Sequence, residues 1–466
     1  MIKYKIIYGE RTGIWMKAIE ILSNIIFKYT NVLPACVSSE NYTPDDNSRN
    51  IYLGTKENNS FIKEMSDREI INAEEYYIKV CDNDILIEGA DAGGALYGCV
   101  DFYNKFILKF ESTHDHMKNY FLNVIEEKLP EFECVSCPSV RDRGLWTWGH
   151  CIYDYKGYLD NMAMLKFNTV IIWNDFPPIN AEEVVSYAHN LNIKVIWGFS
   201  FLWDTMCDKV DINNTDKYID GIVSYYDNNY SNIGGDGIYF QSFTELMTDN
   251  INGVIVAEAV TDFVNKVSAK LLDKYPGLVL QFGLHATSVR ERLDYIKNVD
   301  KRVAIIWEDC GSFPFHYIPE RIDDFEETYK FAKKVSVLRG KNDRFGAVLK
   351  GCICLDWNKF EHQNGELYIG GTSENVLQKI KYDKAKIWKY VQAYWIRNAD
   401  KAYEIIKLLA KQKNGDLCIT ALVEDGAFEK GIYYPVALYS EMLWDTEADI
   451  KDLMCNVALN ENVEFV

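Results

Sequence analysis

Hydrophobic and polar positions change rhythm once along this chain. Up to about residue 132 strand-like and helix-like periods alternate. Lys3–Tyr8 reads as a strand, Ile14–Tyr29 has apolar residues at helical spacing, and Asn50–Gly54 is a short strand closed by glycine. Glu75–Val80 and Ile85–Glu88 flank Asp82-Asn83-Asp84, the residue types of a tight turn, so the pair predicts a β-hairpin. A helix follows over Gly93–Phe106. Its leading segment, Gly89-Ala-Asp-Ala-Gly93-Gly94-Ala-Leu-Tyr-Gly98, lacks the spacing of a dinucleotide-binding turn, so its glycines predict close packing of helix on sheet.

From Val140 a second rhythm repeats: an apolar strand, a short polar tip, then a helix. Strands are predicted at Gly144–Trp148, Asn168–Trp173, Lys194–Gly198, Gly237–Phe240, Leu278–Phe282, Val303–Trp307 and Ala347–Leu355. Continuous apolar runs in series suit strands buried on both faces, which implies a parallel barrel whose eighth strand has no evident position. After Ser373 the pattern turns helical, most clearly over Ala385–Ile406. The expected architecture is therefore an N-terminal α/β domain (1–132), a (β/α)8-type barrel (133–373) and a mainly helical C-terminal region (374–466).

Composition narrows the function. The 466 residues are 48% hydrophobic, enough for a large core, and 69 Asp+Glu against 50 Lys+Arg give a net charge of −19, which would repel nucleic acid. No run approaches the roughly 20 apolar residues of a membrane span, and the opening residues do not read as a secretory signal, so a cytoplasmic location is expected. Twelve scattered cysteines then read as free thiols. Only Cys134 and Cys137 have ligand-like spacing; without a second pair or suitably spaced histidines, neither a metal nor a cofactor is expected.

The predicted strand ends concentrate aromatic and charged residues: Trp146, Trp148 and His150 after the first, Trp173, Asn174 and Asp175 after the second, and Trp197 and Trp203 around the third. Glu245 follows the fourth, His285 the fifth, Trp307, Glu308 and Asp309 the sixth, and Asp356 and Trp357 the seventh. In a parallel barrel this rim is where chemistry gathers. Indole faces stack on sugars, although a core-filling role is the ordinary one for any single tryptophan. Glycosidic cleavage needs one carboxylic acid to protonate the leaving oxygen and a second carboxylate as base or nucleophile. Glu245, preceded by Phe243, is the first choice for the acid; a solvated carboxylate opening the next helix is the simpler reading. The second carboxylate would come from Glu308, Asp309 and Asp356. His285 could hold a hydroxyl or orient a carboxylate, or be a satisfied barrel histidine.

The segment Val140-Arg-Asp-Arg143-Gly144 resembles the start of the barrel in glycoside hydrolase family 20. Lys166–Asp175 with Asn192–Trp197 is similar to the second and third strands of family 20 and of the family 67 α-glucuronidases, and Gly237–Glu245 to the family 67 strand that ends in the general acid. Glu75–Phe106 looks like the α/β domain that precedes the barrel in both. The resemblance implies that Arg143 binds hydroxyls of a terminal sugar and that Glu245 is the acid. The chain departs from both families: Thr244 stands where family 20 has the aspartate that assists its acetamido substrates, and Leu246-Met247-Thr248 replaces the glycine-rich segment of family 67. The expected function is an exo-acting glycosidase, hexosaminidase- or α-glucuronidase-like, acting on a small oligosaccharide or glycoside, with Arg143, Asn174, Asp175 and His285 holding hydroxyls beside Asp356. Trp148, Trp197, Trp307 and Trp357 would shape the pocket. A homo-oligomer is compatible with the aromatic C-terminal helices. The alternative is a catalytically altered barrel that only binds carbohydrate; a barrel enzyme of other chemistry, such as a lyase, is the third reading.

Overall fold

The computed structural model describes residues 3–44, 48–110, 128–148, 152–174, 176–199, 201, 211–244, 246, 248–285, 289–308, 325–352, 367–413, 415–423 and 428–466. Two compact units emerge: Met1–Pro138 with His189–Asn192 and Leu459–Glu461, and the remainder of the chain.

The first unit is built on a six-stranded sheet of β1 (Lys3–Tyr8), β2 (Ala35–Ser38), β3 (Ser48–Gly54), β4 (Tyr76–Cys81), β5 (Asp84–Gly89) and β6 (Phe132–Ser136), in the order β2-β1-β3-β5-β4-β6. β4 runs antiparallel to both β5 and β6, and the expected hairpin turns at Asp82, whose φ of 56° is the left-handed value that Asp and Asn tolerate. The helix after β5 spans Ala92–Asp101 and continues as a π-helical turn over Phe102–Ile107; Asp91 caps it by accepting a bond from the Gly94 N–H at 2.7 Å. A Cβ on Gly94 would lie 2.2 Å from the Glu75 carbonyl oxygen. Glycine here lets helix and strand meet. β6 belongs to this sheet, so the first unit extends past the expected boundary at 132 to Pro138.

The second unit is a closed barrel of β7 (Asp142–Trp148), β8 (Thr169–Trp173), β9 (Lys194–Gly198), β10 (Gly237–Gln241), β13 (Val279–Leu284), β14 (Val303–Glu308), β15 (Phe345–Cys352) and β16 (Leu417–Val423), with a small hairpin of β11 (Asn250–Ile251) and β12 (Val254–Ile255) inserted between β10 and β13. All eight barrel pairings are parallel. The seven expected strands are all present. The eighth, β16, lies beyond the expected end of the barrel at 373 and closes it by pairing Ile419 with Arg143. It follows a 39-residue helix, Glu374–Gln412, kinked at Asn398. The C-terminal stretch is thus mainly helical, apart from β16 and a small parallel pair of β17 (Ile432–Tyr433) and β18 (Val463–Glu464).

Alternation sorts the barrel's side chains. Trp146, Ile171, Trp173, Ile196, Tyr239 and Ile306 belong to one buried cluster filling the interior, and their neighbours in sequence face the surrounding helices. Among the described residues, no helix is long and apolar enough to cross a membrane.

Candidate active site

Four consecutive barrel strands converge on one carboxylate. Glu308 ends β14 in phase with Ala304 and Ile306, which turns it into the barrel at the carboxyl end, and it is fully buried. Tyr239 on β10 donates its hydroxyl to Glu308 Oε1 at 2.6 Å, and Gln241 two residues later donates its amide to the same oxygen. Lys350 on β15, itself 4% exposed, places Nζ 2.9 Å from Glu308 Oε2. β13 contributes Gly283, where a Cβ would lie 2.4 Å from the Tyr239 hydroxyl and 2.7 Å from Glu308 Oε1. The absent side chain makes room for the pair.

Burial alone would raise the Glu308 pKa, but the Lys350 charge, followed by His285 and the bonds from Tyr239 and Gln241, holds it below the usual carboxylate range. Glu308 is therefore a fixed internal anion. Beneath it Trp146 packs edge-on to Trp173, with ring centroids 6.5 Å apart, and Tyr239 lies 5.3 Å from Trp146. The Lys350 ammonium sits 5.8 Å from the Trp146 ring centroid.

Two amides that follow or end barrel strands keep unused hydrogen-bonding capacity: Gln241 Oε1 and Asn174 Nδ2 are both buried and make no hydrogen bond. One accepts and the other donates, which suits the alternating demands of a polyhydroxylated ligand. Asn174 follows β8 directly, and its backbone carbonyl accepts the Tyr230 hydroxyl at 3.2 Å. His285 follows β13, and its backbone N–H reaches Thr244 Oγ1 at 3.3 Å, tying the ends of the fourth and fifth barrel strands together.

Several expected site residues are placed elsewhere. Arg143, the second residue of β7, lies at the amino end of the strand, opposite this cluster. It is 1% exposed, donates to the carbonyl oxygens of Val140 and Arg141, and stacks over Trp444 at 4.9 Å. Its surroundings are those of a structural arginine rather than a sugar-binding one. Trp197 and Trp307 alternate with the inward Ile196, Ile306 and Glu308 and so point to the helical layer; Trp197 donates to the Gly234 carbonyl at 2.9 Å. They do not form a pocket floor. Trp148 ends β7 with its backbone opposite Trp173. Glu245, Asp309, Asp175, Asp356 and Trp357 lie outside the described residues. Lys350, Tyr239 and Gln241 were not singled out from sequence; Lys350 carried a signal, as a lone charge in the apolar run Ala347-Val-Leu-Lys-Gly-Cys352 in phase with the inward Val348. No group of three or more His, Cys, Asp or Glu that could hold a metal ion occurs among the described residues.

The chain thus holds a closed parallel barrel with polar groups collected at its carboxyl end and, as a separate unit, a six-stranded sheet. The chain superposes on a family 138 glycoside hydrolase targeting pectin rhamnogalacturonan II with a TM-score of 0.55 and 13% identity, over 97% of this chain and 65% of that one. A family 84 protein, CpGH84D, gives the same score and identity over 97% and 67%. A β-N-acetylhexosaminidase from Bacteroides fragilis gives 0.55 and 13%, over 98% of this chain and 90% of that one. The chain thus spans about two thirds of the length of the first two. No protein-family profile matches the sequence, and no curated protein does. The likeness is one of fold, to glycoside hydrolase barrels at large, and does not single out family 20 or family 67.

Proposed function

We propose that this protein is a glycoside hydrolase that removes a terminal sugar from a small glycoside. The observation that supports this most is the convergence of Tyr239, Gln241, Glu308 and Lys350 at the carboxyl end of a parallel barrel, with the Gln241 oxygen left unsatisfied among them. Glu245, four residues beyond Gln241, is assigned the general acid: it gives its proton to the glycosidic oxygen as the bond to the anomeric carbon breaks. Either a carboxylate accepts a proton from water as the water oxygen adds to that carbon, or it first bonds the carbon itself and is then displaced by water, whose proton returns to Glu245. Glu308 is sealed against Lys350, so the second carboxylate is assigned to Asp309 or Asp356. Glu308 and Lys350 act beneath the sugar as a preorganised pair of opposite charges, which costs no reorganisation as charge develops above them. Asn174 and Gln241 hold hydroxyls.

A panel of nitrophenyl hexosides, N-acetylhexosaminides and uronides tests the assignment and identifies the sugar. The variant Glu245→Gln is expected to abolish turnover of substrates with poor leaving groups while leaving the fold intact. Unchanged activity would remove Glu245 from its role, and saturable sugar binding without turnover across the panel would establish the binding-only reading instead.

A further inference from the structure

The amino end of the barrel holds a cavity of about 570 Å³, on the face opposite the candidate active site. Its charged lining is three basic residues, Arg141, Lys194 and Arg344, and three acidic ones, Asp142, Asp236 and Asp416. Most are already joined: Lys194 to Asp142 at 2.5 Å, Arg141 to Asp416, and Arg344 to Asp416 at 4.0 Å. Asp236 accepts the Val195 N–H at 2.8 Å. Gln281, two residues before Gly283 and in phase with it, lines the same cavity and is 4% exposed. Its amide donates to Cys418 Sγ at 3.7 Å, and its Oε1 makes no hydrogen bond. Tyr226 and Tyr275 form an aromatic wall, with ring centroids 4.9 Å apart.

We propose that this cavity is a second binding site, for a neutral polyhydroxylated molecule of monosaccharide size. The charges decide the class. A charged ligand would compete with an ion pair already made, whereas a neutral polyol can donate to Asp142 and Asp416, accept from Lys194 and Arg344, and leave every pair intact. One of its hydroxyls supplies the donor that Gln281 Oε1 lacks, and its apolar face rests on the tyrosines. The site does not depend on the chemistry assigned to the opposite end.

The test follows the isoleucine methyl signals of the full chain by NMR as D-glucose is added, because Ile196 lines the cavity. The Ile196 signal is expected to move saturably, with D-glucuronate and D-glucosamine binding about tenfold more weakly or less well still. Removing one hydrogen bond with Gln281→Leu should weaken glucose by about tenfold. No saturable response up to about 100 mM, equal binding of the charged sugars, or a response that Gln281→Leu leaves unchanged would overturn the proposal, leaving water as the occupant of the cavity.

Discussion

Replacing Lys350 with methionine isolates the internal ion pair. Methionine keeps the length and apolar stem of the side chain and deletes its charge, leaving Glu308 fully buried beside Tyr239, Gln241 and His285 without the lysine charge that faces it. Removing one member of a buried pair typically costs about 3–5 kcal/mol, because the survivor keeps its desolvation penalty without its partner. The pH dependence carries the sign. In the native protein the Glu308 pKa is lowered, so its contribution to stability is complete above the unfolded value of about 4.3 and fades as pH falls through the folded value. Without Lys350 burial dominates, and the folded pKa rises above the unfolded one. The variant then loses stability as pH climbs from about 4.3 through that raised value, so its deficit against the native protein widens from pH 5 to pH 8. Guanidinium unfolding of the barrel, followed by tryptophan fluorescence at the two pH values, measures this. The double variant Lys350→Met/Glu308→Gln should recover most of the loss and show little pH dependence. A single-variant deficit below about 1 kcal/mol at pH 8, or one equal at both pH values, would show that Lys350 does not hold the Glu308 charge in place.

Further outcomes follow from the same geometry. Gly283→Ala forces the Tyr239–Glu308 contact apart and should cost about 1–3 kcal/mol together with most glycosidase activity, read by denaturation and initial rates. Gly94→Ala drives a methyl into the Glu75 carbonyl and should cost about 2–3 kcal/mol in the first unit, visible as an earlier transition with nitrophenyl-glycoside turnover retained below it. Arg143→Met should destabilise the barrel by losing its bonds to Val140 and Arg141 while leaving KM unchanged; a raised KM would return Arg143 to the sugar.

The barrel was largely legible because a strand buried on both faces must read as an apolar run, and seven such runs alternate with helices. The eighth shows the limit of that logic. Leu417-Cys-Ile-Thr-Ala-Leu-Val423 is as apolar as the others, but it follows a 39-residue helix, so the rhythm that identified its partners had already broken. The site was legible only in location. Strand ends could be found from the pattern, but the face of each residue follows from its phase, and phase is hard to assign where both faces are apolar. Trp197 and Trp307 therefore read as sugar-facing although they contact the helical layer, while Trp146 and Trp173 pack inside. Arg143 failed for another reason: it stands before the strand Gly144–Trp148 in sequence, which already puts it at the amino end, away from the rim where barrel chemistry gathers.

The late position of β16 also bears on how the protein is made. During synthesis β7 and β15 emerge before β16 and leave their outer edges unpaired until the chain has passed Val423, because β16 bonds to both. Seven exposed parallel strands are prone to pairing with other chains. Ribosomes stalled before Leu417 should present an open, chaperone-binding sheet, and release beyond Val423 should convert it into a ring in a single slow step.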